Sequence, residues 1–265
     1  MDIISIRGLE ISACHGVKDC EKINPQPFVF DADIQTDFFA AARADNLDAT
    51  VNYSSVCKLI TSVTEGNTFN LIEKLSYGAA MLLAEKYPAL SSVEVTVHKP
   101  RAPIGLPFDD VSITQKVSRK TALLSLGSSE GDRRANLEGG IEALRNIRGV
   151  KLLKTSAFME TEPYGGVAKN RFLNCAVMVE CLIDARTLLN EIHRTEAQFK
   201  RVRDRRWADR TLDIDSIFFG NDVICEEGLC IPHPDYINRQ FVIQPLKEIA
   251  PDFVCPVLHK RISDL

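Results

Sequence analysis

At 265 residues, with 45% hydrophobic and 26% charged side chains and a formal net charge of −4, the chain is a water-soluble globular composition long enough for two modest domains. The acidic balance argues against an extended basic face for nucleic acid, and no apolar run approaches the ~20 residues that a membrane-spanning helix needs, so neither is expected as a partner. Met1-Asp2-Ile3-Ile4 is already strand-like and lacks a basic leader, which makes the cytoplasm the expected location.

Residues 3–12 and 28–37 alternate apolar and polar, predicting two half-buried strands joined by a loop that holds His15, Gly16 and Glu21. Residues 45–52 are polar and turn-rich. Val56, Leu59, Ile60 and Val63 then recur at helical spacing over 53–63, and Leu71, Ile72, Leu75, Ala79, Leu82 and Leu83 do so over 70–86. Alternation returns over 92–98 and 111–117, separated by Pro100, Pro103 and Pro107, which no helix interior tolerates. The first half therefore reads ββααββ, an antiparallel sheet with its helices on one face. A boundary falls at 118–120 without a Gly/Ser- or Pro-rich spacer, so two closely placed domains, 1–119 and 121–265, are expected. From 121 the pattern restarts: strand 121–127, helix 132–146, strand 150–159, strand 172–181, helix 184–199, strand 211–219 and a helical segment over 241–249. This order is ferredoxin-like and the whole chain is α+β. Eight cysteines are scattered without a C-x-x-C pair and are expected as reduced thiols. Cys225 and Cys230 flank Gly228 in an expected hairpin and can face each other, although a structural disulfide is not expected in the cytosol.

The densest chemistry lies in Arg205-Arg206-Trp207-Ala208-Asp209-Arg210-Thr211-Leu212-Asp213-Ile214-Asp215. In a strand, Asp213 and Asp215 share one face, roughly 6.5–7 Å apart, and Leu212 and Ile214 share the other. Paired carboxylates suit Mg²⁺, which takes oxygen ligands and completes its shell with water and phosphate. Taken alone, an Asp-x-Asp reads first as the solvated face of an amphipathic strand. Arg201, Arg203, Arg205, Arg206 and Arg210 favour the first reading, because guanidinium forks grip phosphate oxygens in pairs.

Arg206-Trp207 followed by Arg210-Thr211-Leu212-Asp213-Ile214-Asp215 resembles the signature of the 6-hydroxymethyl-7,8-dihydropterin pyrophosphokinase family. Leu124 to Arg133, Phe172 to Val177, Pro232-His233-Pro234 and Asn238 to Val242 extend the likeness across about 121–265. The resemblance implies transfer of a diphosphate from ATP to a pterin alcohol, with two Mg²⁺ ions on Asp213 and Asp215. It also implies a triphosphate held by Arg201, Arg203, Arg206, Arg210, His233 and Arg239, and nucleotide contacts from Glu196 with Trp207 anchoring the loop. Phe172 and Phe241 would sandwich the pterin and Asn174 would read its edge beside Thr161 and Tyr164. Both rings are equally suited to core packing. Three positions depart from the family pattern: Ala208-Asp209 for Gly-Pro, Ser129 for Asn, and Glu162 for Pro.

In the first half, His15-Gly16 with Glu21, Thr50-Val51-Asn52-Tyr53, Asn70 to Leu75 and Val97-His98-Lys99-Pro100 together resemble dihydroneopterin aldolase across 1–119. Singly, Glu73 reads as a solvated helix carboxylate, Lys99 as an edge charge and Tyr53 as a half-buried staple. The resemblance implies a tunnelling-fold subunit that closes rings edge to edge, as a tetramer or octamer. It implies a retro-aldol cleavage with no cofactor in this half. Glu73 would anchor the pterin, with Val51 and Leu71 beside it. Lys99, its pKa lowered by partial burial, would be the base acting through water, Tyr53 the proton donor, Glu21 the relay and His15 structural. The expected whole is a bifunctional folate-biosynthesis enzyme. The alternative is a pterin- or nucleotide-binding assembly module with one impaired site.

Overall fold

The computed structural model describes residues 2–163, 170–199 and 209–265, and the chain divides into two compact units, Met1–Arg119 and Lys120–Leu265. No helix among the described residues is long and apolar enough to cross a membrane.

The first unit runs β1 (Asp2–Ala13), α1 (Asp19–Ile23), β2 (Gln26–Thr36), α2 (Phe39–Ala44), α3 (Tyr53–Glu65), α4 (Ile72–Lys86), β3 (Ser92–His98) and β4 (Ser112–Ser118). Its sheet has the order β1-β2-β3-β4, each pair antiparallel. Period-2 alternation puts Phe28, Phe30, Ala32 and Ile34 of β2 beside Val93, Val95 and Val97 of β3 on one wholly buried face. The helices pack over that face and contribute Val56, Ile60, Leu75, Ala79 and Leu83, also fully buried. Asn52 caps α3 by accepting from the amides of Ser54 and Ser55 at 2.9 and 3.3 Å. This is the ββααββ unit of the tunnelling fold with two short helices, α1 and α2, that sequence periodicity does not show. Neither reaches two turns, so neither generates a readable period.

The second unit runs β5 (Lys120–Ser128), α5 (Arg133–Arg145), β6 (Val150–Thr155), β7 (Met159–Thr161), β8 (Phe172–Cys181), α6 (Ala185–Gln198), β9 (Asp213–Phe219), a hairpin of β10 (Ile224–Glu226) and β11 (Leu229–Ile231), and α7 (Gln240–Ile249). The sheet order is β6-β8-β5-β9, all antiparallel, with β7 also pairing with β8. That is the ferredoxin-like order. The single strand expected over 150–159 is two: Ser156 breaks the ladder, its amide donating to Ala176 O at 2.9 Å while its hydroxyl accepts from the Ala176 amide at 2.8 Å. One sheet face is a core shared with α5 and α6, built from Leu124, Leu126, Cys175, Val177, Leu188, Ile192, Leu212 and Ile214. The other face is divided. Leu123, Ala176 and Ile217 pack under Val242, Ile243 and Leu246 of α7, whereas Ser125, Gly127, Asn174, Asp213 and Asp215 line a cleft.

Candidate functional sites

In the first unit the chain leaves β1 through His15, which is wholly buried, stacked on Phe69 at 5.6 Å and edge-on to Phe28 at 5.1 Å. Its Nδ1 accepts from the Phe69 amide at 3.1 Å, and burial lowers its pKa, so the ring is a neutral structural element as expected. Gly16 follows with φ +149°, and a Cβ built there would lie 2.3 Å from Glu21 Cδ. Glycine is therefore what lets the Glu21 carboxylate lie against this backbone. Glu21 is 7% exposed in the middle of α1; its Oε2 accepts from the Lys18 amide at 3.0 Å and its Oε1 from Lys99 Nζ at 2.5 Å. Lys99 is 8% exposed and also donates to His15 O at 3.3 Å. Burial by itself raises the Glu21 carboxyl, but the ammonium of Lys99 and the Lys18 amide outweigh it and hold the pKa below its ordinary value. A lysine and a carboxylate distant in sequence thus form one buried proton-holding pair.

The remaining residues expected at this site make no hydrogen bond to the pair. The pair's hydrogen bonds reach His15, Lys18 and Gln26, not Tyr53, Leu71 or Glu73. Tyr53 opens α3 at 65% exposure and Leu71 precedes α4 at 53%, while Glu73 is exposed in the first turn of α4. Val51 is 5% exposed, so its side chain belongs mainly to the core.

The second-unit cleft is open to solvent and is lined by Ser125, Gly127, Thr161, Glu162, Phe172, Asn174, Arg210, Asp213, Asp215, Arg239 and Phe241. Phe172 and Phe241 are both half-buried at its walls. Asn174 is 3% exposed and donates from Nδ2 to Thr161 Oγ1 at 2.8 Å, which orients its Oδ1 toward Gly127. A Cβ at Gly127 would come within 2.9 Å of that oxygen, so the glycine keeps the floor open. Alternation along β9 does as the sequence implies: Leu212 and Ile214 enter the core, and Asp213 and Asp215 face the cleft. Arg210 bonds Asp213, and Arg239 reaches Asp215 at 3.4 Å and Asp235 at 3.0 Å.

Burial and the neighbouring Asp213 carboxylate push Asp215 up to about 7, against the opposing pull of Arg239 and Arg210. Two carboxylates pressed together on an open cleft are an arrangement a hard cation relieves, and oxygen-only donors with room for phosphate suit Mg²⁺. Asp213 and Asp215 therefore fit the expected metal. Burial and Arg239 lower the pKa of His233, leaving the imidazole neutral near pH 7; it stands outside the cleft lining.

Glu196 is a correction. It is 2% exposed, and its Oε1 accepts from the Ile214 amide at 2.9 Å. It ties α6 to β9, which aims the aspartates, and is not open to a nucleotide. Arg201, Arg203, Arg205, Arg206, Trp207 and Tyr164 lie outside the described residues. The three departures from the family pattern acquire local roles that no motif signals. Ser129 Oγ accepts from the Arg210 amide at 2.9 Å and the Ser129 amide donates to Arg210 O at 2.8 Å, pinning the backbone beneath that guanidinium. Asp209 Oδ1 accepts from the Asn170 amide at 3.2 Å. Glu162, where a proline is usual, pairs with Arg171 at 2.5 Å.

Residues 4–116 match the family model described as dihydroneopterin aldolase, and residues 123–251 match that of 7,8-dihydro-6-hydroxymethylpterin-pyrophosphokinase. The 2-amino-4-hydroxy-6-hydroxymethyldihydropteridine pyrophosphokinase of Haemophilus influenzae is 39% identical over 136 residues, which cover 51% of this chain and 85% of that protein. The folic acid synthesis protein FOL1 of Dictyostelium discoideum is 28% identical over 287 residues, covering 98% of this chain but 43% of that protein, so this chain spans less than half of its length. Among solved structures, E. coli dihydroneopterin aldolase in complex with neopterin is 28% identical, with a TM-score of 0.41, and covers 44% of this chain and 98% of that one. By its second unit the chain belongs to the 7,8-dihydro-6-hydroxymethylpterin-pyrophosphokinase family, and its first unit matches the dihydroneopterin aldolase family model.

Proposed function

We propose that the chain performs two consecutive reactions of folate biosynthesis, the product of the first unit being the substrate of the second. The observation that carries this reading is the cleft in which two aromatic walls, one oriented amide, two arginines and two convergent carboxylates meet. A flat heteroaromatic ring fits between Phe172 and Phe241, with its polar edge toward Asn174 Oδ1. Arg210 and Arg239 grip the oxygens of ATP, and Asp213 and Asp215 hold Mg²⁺. A divalent cation there supplies charge neutralisation to a transfer that is otherwise positioning. The hydroxymethyl oxygen of the pterin attacks the β-phosphorus of ATP, the diphosphate moves to that oxygen, and AMP leaves.

In the first unit, retro-aldol cleavage requires a group to take the proton of the side-chain hydroxyl and another to return one to the ring-attached carbon. The pterin ring accepts the electron pair between those steps. Lys99 and Glu21 are the proton-holding pair within reach of one buried point, and general acid–base catalysis of this kind contributes roughly 10²–10⁴-fold. Tyr53, Leu71 and Glu73 are exposed, so we assign them to a site completed across a subunit boundary in a homo-oligomer built through this unit. Tyr53 of one subunit donates the proton at the Lys99 of another, and Glu73 binds the pterin edge. The cytoplasm is the proposed location.

Incubation with dihydroneopterin, ATP and Mg²⁺ tests both reactions, with glycolaldehyde and AMP followed in parallel. Glycolaldehyde without AMP overturns the second assignment, and AMP formed only from supplied 6-hydroxymethyl-7,8-dihydropterin overturns the first.

A further inference from the structure

The β10–β11 hairpin contributes no residue to the cleft lining and carries two thiols that neither proposed reaction uses. Its register places Cys225 directly opposite Cys230, one step out from the Glu226–Leu229 pair that closes the two-residue Glu227-Gly228 turn. Gly228 takes φ +72°, as the second turn position requires. Counting outward from such a turn, the closing pair is hydrogen-bonded and the next pair is not, and non-hydrogen-bonded partners stand closest, with Cα atoms roughly 4.5 Å apart. That separation lies inside the roughly 4.4–6.8 Å range a disulfide spans. Both side chains leave the hairpin on the same face, since directly opposed residues of an antiparallel pair project to one side.

The hairpin is held so that this pair faces water. Leu229 and Ile231 point the other way and are buried, at 5% and 2% exposure, against the core under β9. Arg186 of α6 clamps the turn from outside, donating to Glu226 Oε2 at 2.7 Å and to Glu227 O at 3.0 Å. Cys225 and Cys230 are both exposed. Cys175, Cys181 and Cys255, by contrast, are buried, and burial pushes the Cys175 and Cys181 thiols up to about 12, which leaves them inert.

We propose that Cys225 and Cys230 form a dithiol modification site, closed reversibly to a disulfide by low-molecular-weight disulfides. The Cys225 thiolate attacks one sulfur of the small disulfide, forming a mixed disulfide and expelling one small thiolate. Cys230, losing its proton, then attacks Cys225 Sγ and expels the second. Two protein thiols are oxidised, one disulfide is reduced to two thiols, and the two protons leave with them. No backbone rearrangement is needed, because the register already sets the spacing.

The test treats the native full-length protein with oxidised glutathione, quenches with an alkylating reagent and maps the peptide spanning 211–239. The expected result is loss of alkylation at both cysteines and a peptide two hydrogens lighter, reversed by dithiothreitol. Cys230→Ser should instead retain a glutathione adduct on Cys225. A wild-type peptide alkylated at both positions, or one that keeps a stable glutathione adduct without closing, overturns the proposal. So does a Cys230→Ser protein whose Cys225 stays alkylated.

Discussion

Replacing Lys99 by Met keeps the aliphatic stem and removes the ammonium from a carboxylate that is 7% exposed. Glu21 would then keep its bond from the Lys18 amide but lose the ion pair at 2.5 Å. Stranding one member of a buried pair costs about 3–5 kcal/mol. The cost depends on pH, and its sign follows from the carboxyl. In the wild type the Glu21 pKa lies below the ordinary 4.5, so its stabilisation is present above that value and is lost as the pH falls through the folded value. In Lys99→Met, burial, the largest single influence on Glu21, is no longer opposed by the ammonium, and the folded pKa rises above 4.5. The folded variant then holds a proton that the unfolded chain releases, so its stability falls as the pH rises through that window. Hydrogen-exchange mass spectrometry on peptides from β2 and β3 isolates the first unit from the second. The expected loss is small near pH 4.5 and reaches about 3 kcal/mol near pH 7.5. Adding Glu21→Gln should recover most of it at the higher pH. A pH-independent loss, or one below about 1 kcal/mol as for an exposed pair, refutes the reasoning.

Gly16→Ala should destabilise the first unit by about 2 kcal/mol or more and reduce glycolaldehyde release, since its Cβ collides with Glu21 and φ is strained; chemical denaturation followed in the first unit checks this. EDTA, or Asp213→Asn, should abolish AMP formation while glycolaldehyde release continues, the barrier to transfer rising by several kcal/mol; joint loss of both reactions in a folded protein would contradict the assignment. Asp215→Asn should stabilise the metal-free second unit progressively as the pH rises from 3.8 through about 7, reaching on the order of 1 kcal/mol after discounting for solvent screening, because a carboxyl raised to about 7 makes the folded state hold a proton that the unfolded chain releases. Melting curves without metal should therefore differ least between wild type and variant near pH 4 and most near pH 8, the difference growing as the pH rises from 3.8 through about 7. Mixing Tyr53→Phe and Lys99→Ala chains should restore part of the cleavage activity, and none in verified mixed oligomers would remove the shared site.

Local periodicity by itself determined most elements and the motif order that marks both families. The alternation of Leu212-Asp213-Ile214-Asp215 sufficed to say that the aspartates share a face, because a strand allows only two. The helices over 53–63 and 70–86 were legible for the same reason, each being long enough to show an apolar stripe. Elements of five or six residues, such as α1 and α2, have no period to read, and Ser156 interrupts a strand through a bond to Ala176 that local pattern does not encode. The tertiary structure alone decided which distant groups meet. Glu21 and Lys99 are 78 residues apart and neither is marked as buried by its neighbours in sequence. Glu196 resembles a ligand in the chain and is instead a brace for β9. Ser129 acquires its purpose only when Arg210 folds against it, 81 residues away. A side chain's partner and its share of water are properties of long-range packing, and these set the charge state and orientation on which the chemistry depends.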